Sequence, residues 1–451
     1  MNALVSALAS QTLSNPVHGK VVPPFRPVQY LGNKLRVLDH ITDTAQELIG
    51  NGGSVVDLFT GTSVVAQALA HRGYSVTALD TQNYARIFAA ATLGIGRDEG
   101  VECPAERLLE EAERLFHEPT FAPWVAIAGI ERTAIKTNDL IALHSLYEKL
   151  PLAWRDSESP HHRLVLEGDG RSAFDRLPLI TSVHAGSYFG VDQALTIDAL
   201  RYAIERGRLN RTLSDWQVCA ALTGLMSAAS SAVHSAGKHF AQPLTAGSGT
   251  NIQFRSKRIL EDRRVCVGSA FVFACKSLNL RTSPAGDTHR SIQSSAEAFL
   301  SGSGKSDLYY ADPPYTAQQY SRFYHILETI ADYRVESLLH GGAATSGLYT
   351  KERYKSAFSS KAKAGIAFKN MIQSVQNKRG SLLISYSVSS SESNGNSRMI
   401  GLGDIIGLAE TYYGRKNVSV KKLDHTYRQF NSSERSNSKR DDPEVMIACS
   451  I

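Results

Sequence analysis

The residues with the clearest chemical potential are Asp312, Pro313, Pro314 and Tyr315, which close the stretch 307–315, DLYYADPPY. Two prolines in succession lack N–H donors and fix φ, so they form a stiff loop with open carbonyl oxygens. A carboxylate, a rigid carbonyl and an aromatic plane then lie close together. That set suits a planar ring bearing an exocyclic NH2 group: Asp312 and the Pro313 carbonyl each accept one amine hydrogen, and Tyr315 stacks on the ring. Engaging both hydrogens draws the nitrogen lone pair out of conjugation. A conjugated amine is a poor nucleophile, so the arrangement supplies what alkylation of that nitrogen needs.

A second group is Asp57-Leu58-Phe59-Thr60-Gly61, with Asp80 further along. Gly61 lets the backbone approach a ligand, and the helix expected behind it offers N–H groups. Asp80 stands where an acid that binds ribose hydroxyls usually does. One glycine in place of G-x-G-x-x-G removes the pyrophosphate cradle of a dinucleotide site, which points to a nucleoside cofactor without phosphates. A third group, Tyr30-Leu31-Gly32-Asn33-Lys34, would alone read as a surface turn with a solvated lysine.

The elements that must hold these groups are legible as an α/β pattern. SVVDLF (54–59), a Gly turn, the helical spacing of Val64, Val65, Ala68 and Leu69, and SVTAL (75–79) make one βαβ unit ending at Asp80. Carboxyl ends of strands in open α/β sheets are where ligands bind, and both Asp80 and Asp312 stand there. The α/β pattern returns after about 288: strand then helix in 289–300, strands at 307–315, 381–387, 418–423 and 444–450, and one helix over 318–333 with Phe323, Ile326, Leu327 and Ile330 on a face. The expected fold is a doubly wound, mostly parallel sheet. It is divided into 1–96 (cofactor motifs), a helical insertion over 97–287, and 288–451 (the Asp-Pro-Pro-Tyr motif). Within the insertion, helices are expected at 104–117, 139–149, 192–206 and 215–235.

Composition bounds the rest. The 451 residues are 42% hydrophobic and 20% charged, which excludes wholesale disorder. Five scattered cysteines include no Cys-x-x-Cys pair, and His234 and His239 have no acid or Cys to complete a ligand set, so no metal is expected. No basic lead precedes the Ala-rich N-terminal run and no long apolar stretch occurs, so the expectation is a cytoplasmic protein without a membrane span. The net charge of +6 is concentrated. Segment 253–265 has five basic and two acidic residues, and 428–440 has four basic residues against Glu434. These clusters, with Lys238 and His239, suit a polyanion: the candidates are Lys238, His239, Arg255, Lys257, Arg258, Arg428, Arg435, Lys439 and Arg440.

In order, YLGNK, DLFTG, the LD pair ending at Asp80, and DPPY resemble the motifs of alpha-class DNA adenine-N6 methyltransferases; FGVDQALTIDALRYAIE, 225–240 and QYSRFYHILETI are similar too. The resemblance implies a Rossmann-like methyltransferase fold, S-adenosylmethionine as cofactor and double-stranded DNA as partner. It implies that Tyr30, Lys34, Asp57, Phe59 and Gly61 line the methionine and adenosine pockets, that Asp80 holds the ribose, and that Asp312 to Tyr315 hold a flipped adenine. The family places target recognition where the 97–287 insertion lies. A setting in restriction-modification or anti-phage defence follows, with a nuclease or defence subunits as further partners. Ser63 stands where the family often has glycine. Cytosine N4, an RNA adenine or a glutamine side chain are the alternative amines, and a catalytically silent DNA-binding subunit is the alternative class.

Overall fold

The computed structural model describes residues 23–29, 34–244, 252–285, 288–339, 347–387, 398–423 and 444–451. Seven strands form one sheet: β1 (Ser54–Asp57), β2 (Ser75–Asp80), β3 (Arg290–Gln293), β4 (Leu308–Ala311), β5 (Ser381–Ser387), β6 (Val418–Leu423) and β7 (Glu444–Cys449), in the order β3-β2-β1-β4-β5-β7-β6. The first five run parallel, and β7 is antiparallel to both β5 and β6. This is the expected doubly wound, mostly parallel sheet.

Strand composition follows from having both faces covered. Every residue of β4, β5 and β7 is buried, so these strands read as continuous apolar runs without alternation. Adjacent residues point to opposite layers. Val55, Tyr310 and Leu383 pack with helices Leu38–Ile49 and Val64–His71, whereas Val56, Tyr309 and Leu382 pack with helices Ala364–Asn377 and Leu402–Tyr413. The winding direction reverses between β1 and β4, which opens a crevice at their carboxyl ends.

After β2 the helix Asn83–Thr92 crosses the sheet, and the chain then leaves it until β3. The intervening helices include Ala105–Leu115, Ala122–Thr137, Leu140–Glu148, Val191–Leu209, Asp215–Ala232, Ile252–Arg263 and Val267–Arg281. Val191–Leu209 and Asp215–Ala232 are buried over most of their surface; helices at the centre of a layer lack a polar face. One apolar cluster runs from Phe88 through Leu200, Trp216 and Met226 to Ile326 and Ile330. The inserted helices thus share a core with the helices that flank the crevice.

Arg201 ties the two parts together. Its guanidinium is buried, lies 4.8 Å from the Phe174 ring centre, and donates to the carbonyls of Ile330 and Ala331, which close the helix His325–Asp332. The expected single helix over 318–333 is broken at Tyr324 (φ −127°, ψ 21°) into Tyr320–Phe323 and His325–Asp332. Ile326, Leu327 and Ile330 are buried as their spacing implied, but Phe323 lies before the break and is half-buried. Among the described residues, no helix is long and apolar enough to cross a membrane.

Candidate active site

The turn after β1 is built around two residues in the left-handed backbone region, Gly61 (φ 51°) and Ser63 (φ 61°). For serine this costs about 1–2 kcal/mol, which explains why glycine is the natural occupant. Here Ser63 is held by its own N–H on the Thr60 carbonyl (2.7 Å), its hydroxyl against Thr92 (2.6 Å) and the Gln67 amide (3.2 Å). The turn is then pinned to the next strand. Thr60 N–H donates to the Leu79 carbonyl, Gly61 N–H donates to Asp80 Oδ2 at 3.1 Å, and Gln82 N–H donates to Asp80 Oδ1 at 3.0 Å.

A crevice of about 710 Å³, open solvent included, lies above these strand ends and is lined by Leu58, Phe59, Asp80, Asp312, Pro314 and Tyr320 among others. That size is ordinary for a small-molecule site. Asp57, 1% exposed, does not line it but ends β1 one residue before the lining residue Leu58. Among the described residues, Asp57 Oδ2 and Thr60 Oγ1 are buried with no hydrogen bond of good geometry, though the two side chains lie close to each other. Burial pushes the Asp57 carboxyl up to about 7, against the nearby Thr60 hydroxyl and the Phe59 N–H, with Asp312 and Asp80 adding repulsion. Asp80 is also raised, chiefly by burial, against the N–H groups of Gln82 and Gly61. The crevice is therefore rich in carboxyl groups that a cationic ligand would ionise.

Asp312 stands one residue past β4. Its Oδ1 lies 2.9 Å from Lys34 Nζ, and the same ammonium lies 2.5 Å from Glu444 Oε1. Lys34 and Glu444 are 3% and 1% exposed, Asp312 21%. Lys34, expected with the cofactor group, thus has its charge on the Asp-Pro-Pro-Tyr motif. Its ammonium is 5.9 Å from the Tyr315 ring centre, and the Arg398 guanidinium is 4.7 Å from it. Tyr386 meets Tyr315 edge-on at 5.6 Å. The Tyr315 plane is thereby fixed by two cations and an aromatic edge.

Lys34, Asp57, Phe59, Gly61, Asp80 and Asp312 to Tyr315 come together at the strand ends, whereas the described members of the expected polyanion contacts, Lys238, His239, Lys257 and Arg258, have their partners elsewhere. Lys238 Nζ lies 2.6 Å from Asp262 Oδ1 and donates to the carbonyls of Ser231 and Val233. Arg258 donates to the Ser235 carbonyl at 2.7 Å. The ring of His239 packs on Phe323. Of the described members of this group, only Lys257 is well exposed, at 79%, with Glu261 3.9 Å away. Tyr30, Arg428, Arg435, Lys439 and Arg440 lie outside the described residues, as does the side chain of Arg255. Among the described residues, no three His, Cys, Asp or Glu side chains gather as a metal-holding group.

Glu444 and Arg398 were not singled out from the sequence. A lone acid heading the apolar strand EVMIAC is the signal for Glu444: a carboxylate there must be paired to be buried. Arg398 gives no comparable signal, since it borders a polar stretch.

The sequence model of the D12 class N6 adenine-specific DNA methyltransferase family matches residues 30–123 and 271–380. Those blocks contain Tyr30, Lys34, Asp57, Asp80 and Asp312 to Tyr315, and so bear out the resemblance read from the motifs. Among curated proteins, the chain is 22% identical over 375 residues to Type II methyltransferase M.FokI of Planomicrobium okeanokoites, covering 80% of this chain and 44% of that protein. It is 22% identical over 415 residues to Modification methylase LlaI of Lactococcus lactis subsp. lactis, covering 91% and 52%. Modification methylase StsI of Streptococcus sanguinis is 26% identical over 135 residues, 30% of this chain and 18% of that protein. The chain spans about half the length of the first two relatives.

Proposed function

We propose that this chain is an S-adenosylmethionine-dependent DNA methyltransferase acting on the N6 amine of an adenine at specific sites, in a restriction-modification setting like that of the modification methylases it resembles. The observation that carries the reading is the junction of Asp312-Pro313-Pro314-Tyr315 with the acid-lined crevice at the sheet's switch point.

The crevice residues fit this cofactor. Asp80 lines it as a ribose acceptor and Leu58 and Phe59 offer apolar surface, with Asp57 and Thr60 buried on either side of that lining pair. Its carboxyl groups favour a ligand with ammonium and sulfonium charges. When bound, S-adenosylmethionine supplies a methyl group, its C–S bond breaking as the new N–C bond forms and the donor becoming a neutral thioether.

A base inside a duplex cannot reach Asp312, so the target is extruded into the site. Tyr315 stacks on it. Asp312 and the Pro313 carbonyl accept the two amine hydrogens and aim the nitrogen lone pair; after transfer the proton held at Asp312 passes through that carboxylate to solvent. Excluding water strengthens each of these contacts. The inserted helices, 97–287, are the proposed target-recognition region, and Lys257, Arg255 and the basic 428–440 segment are the proposed phosphate contacts.

The test is incubation with tritiated S-adenosylmethionine and, in parallel, unmethylated plasmid DNA, RNA and protein. Label should enter DNA as N6-methyladenine and be lost with Asp312→Ala. Label in cytosine, RNA or protein would reassign the substrate, and an Asp312→Ala protein as active as the wild type would overturn the site.

A further inference from the structure

One buried cation is held between two carboxylates, and one of them, Glu444, has no part in the reading above. Lys34 Nζ lies 2.5 Å from Glu444 and 2.9 Å from Asp312. Glu444 cannot easily move. It opens β7, the strand between β5 and β6, and is paired in register with Ser387 on one side and Leu423 on the other. Lys34 precedes the helix Leu38–Ile49 and is packed to 3% exposure. A carboxylate 1% exposed is costly to bury. Were Lys34 in need only of a counter-ion, Asp312 would serve. The second carboxylate makes the trio net negative and divides the ammonium between two acceptors.

That division has a chemical consequence. An aspartate neutralised by a lysine of its own is a weak acceptor. One that shares its lysine stays oriented through Oδ1 while keeping more negative charge on Oδ2, which makes no hydrogen bond to a described residue. Resting on the methyltransferase reading, we propose that Glu444 is a positioning residue: it anchors Lys34 against Asp312 and draws off part of its charge, leaving Asp312 a strong acceptor for the hydrogen of the substrate amine.

The balance of influences on Asp312 agrees. Burial pushes its carboxyl up, Lys34 pulls it down and Glu444 pushes it up again, to about 6. Asp57 from β1, Tyr310 from β4 and Tyr320 from the following helix also face it.

Opposite responses to opposite charge removals test this. Single-turnover methylation of unmethylated plasmid DNA is followed against pH for the wild type, Glu444→Gln, Glu444→Asp and Lys34→Met, with S-adenosylmethionine affinity measured by calorimetry on each. Asp312 accepts only when ionised, so the rate should rise with pH along an acid limb. Glu444→Gln should move that limb down by about half a unit to 1 unit and lower the plateau about 3- to 10-fold. Lys34→Met should move it up by about 1 unit. Glu444→Asp keeps the charge and should leave the limb in place while slowing transfer. The proposal is overturned if the limb stays put in Glu444→Gln, or moves the same way there and in Lys34→Met, with cofactor affinity retained. Should Glu444→Gln fail to fold, a limb displaced in Glu444→Asp or unmoved in Lys34→Met overturns it. A wild type that transfers no methyl group to DNA defeats the underlying reading instead, a result separate from any limb position.

Discussion

In the inserted helices, Asp198 is fully buried and all its acceptor capacity is used. It takes the N–H groups of Ile180 and Thr181 and the hydroxyls of Thr181 and Tyr333. Glu131 behaves alike, receiving the Val191 and Asp192 N–H groups and the Tyr147 hydroxyl. Beside the crevice, Asp57 is buried almost as deeply, yet apart from the nearby Thr60 hydroxyl one of its oxygens has no hydrogen-bond partner among the described residues. Asp312 engages a lysine with one oxygen only. Both regions bury carboxylates, but one completes their hydrogen bonding within the protein and the other leaves it to be completed from outside. A satisfied carboxylate holds helix ends together; an unsatisfied one is poised for a ligand.

The sharpest way to break this contrast is to make the same change in both places. Asp312→Asn should slow methyl transfer about 10²- to 10⁴-fold while changing unfolding stability by less than about 1 kcal/mol. Asp198→Asn should do the reverse. Its replacement NH2 must confront the Ile180 N–H on one side or the Thr181 N–H on the other, so it should destabilise the fold by about 2–4 kcal/mol with the surviving folded fraction still active. Denaturant unfolding alongside the tritium assay separates the two, and an Asp198→Asn protein of wild-type stability would sink the distinction.

Asp80 lines the crevice and Asp57 is buried beside it, so the two differ in how open they are to a ligand. Asp80→Ala should weaken S-adenosylmethionine binding about 10- to 100-fold, and unchanged calorimetric affinity would remove it from the ribose site. Asp57 should reveal itself through protons. Burial holds its carboxyl at about 7, and a cationic ligand favours the ionised form. Binding below pH 7 should then release up to about one proton, with affinity rising as pH rises towards 7, by at most about tenfold per unit, and levelling above it. Calorimetry in buffers of different ionisation heat measures the release, which Asp57→Asn should abolish.

How much of this was legible in the sequence depended on distance along the chain. The central strands β1, β4, β5 and β7 showed as apolar runs because their faces are covered by helices. Asp57, Asp80 and Asp312 showed because each ends such a run. The Lys34–Glu444 contact did not show, because the two stand near opposite ends of the sequence and meet only through the placement of β7 beside β5. FGVDQALTIDALRYAIE looked like a familial signature; its polar members Asp198 and Arg201 cap helices, a role visible only once Tyr333 and the carbonyls of Ile330 and Ala331 are in place. Tyr324 broke the expected helix by adopting a backbone conformation that periodicity cannot reveal.

Charge counting met the same limit, and the smallest predicted effect concerns it. Segment 253–265 carries five basic residues, but a count does not say which way they point. Arg263 is 5% exposed and donates to the carbonyls of Tyr188 and Ser187. Lys238, outside the segment but grouped with it, is held by Asp262, whose carboxyl burial would raise but His234 and Lys238 hold below its usual range. Of the described members, Lys257 and Arg264 are exposed; Arg264 donates to Asn138 Oδ1, whereas Lys257 projects into solvent with Glu261 3.9 Å away. Lys257→Ala should therefore leave stability within about 0.5 kcal/mol and reduce the slope of log affinity for duplex DNA against log salt by about 1. Lys238→Ala should leave that slope unchanged and instead cost about 1–3 kcal/mol of stability, because Asp262 and the last carbonyls of the helix Asp215–Ala232 lose their donor. If Lys238→Ala flattened the salt dependence with stability intact, its ammonium would have to leave Asp262 for a phosphate, and the division between charges that build the protein and charges that meet DNA would have to be drawn elsewhere.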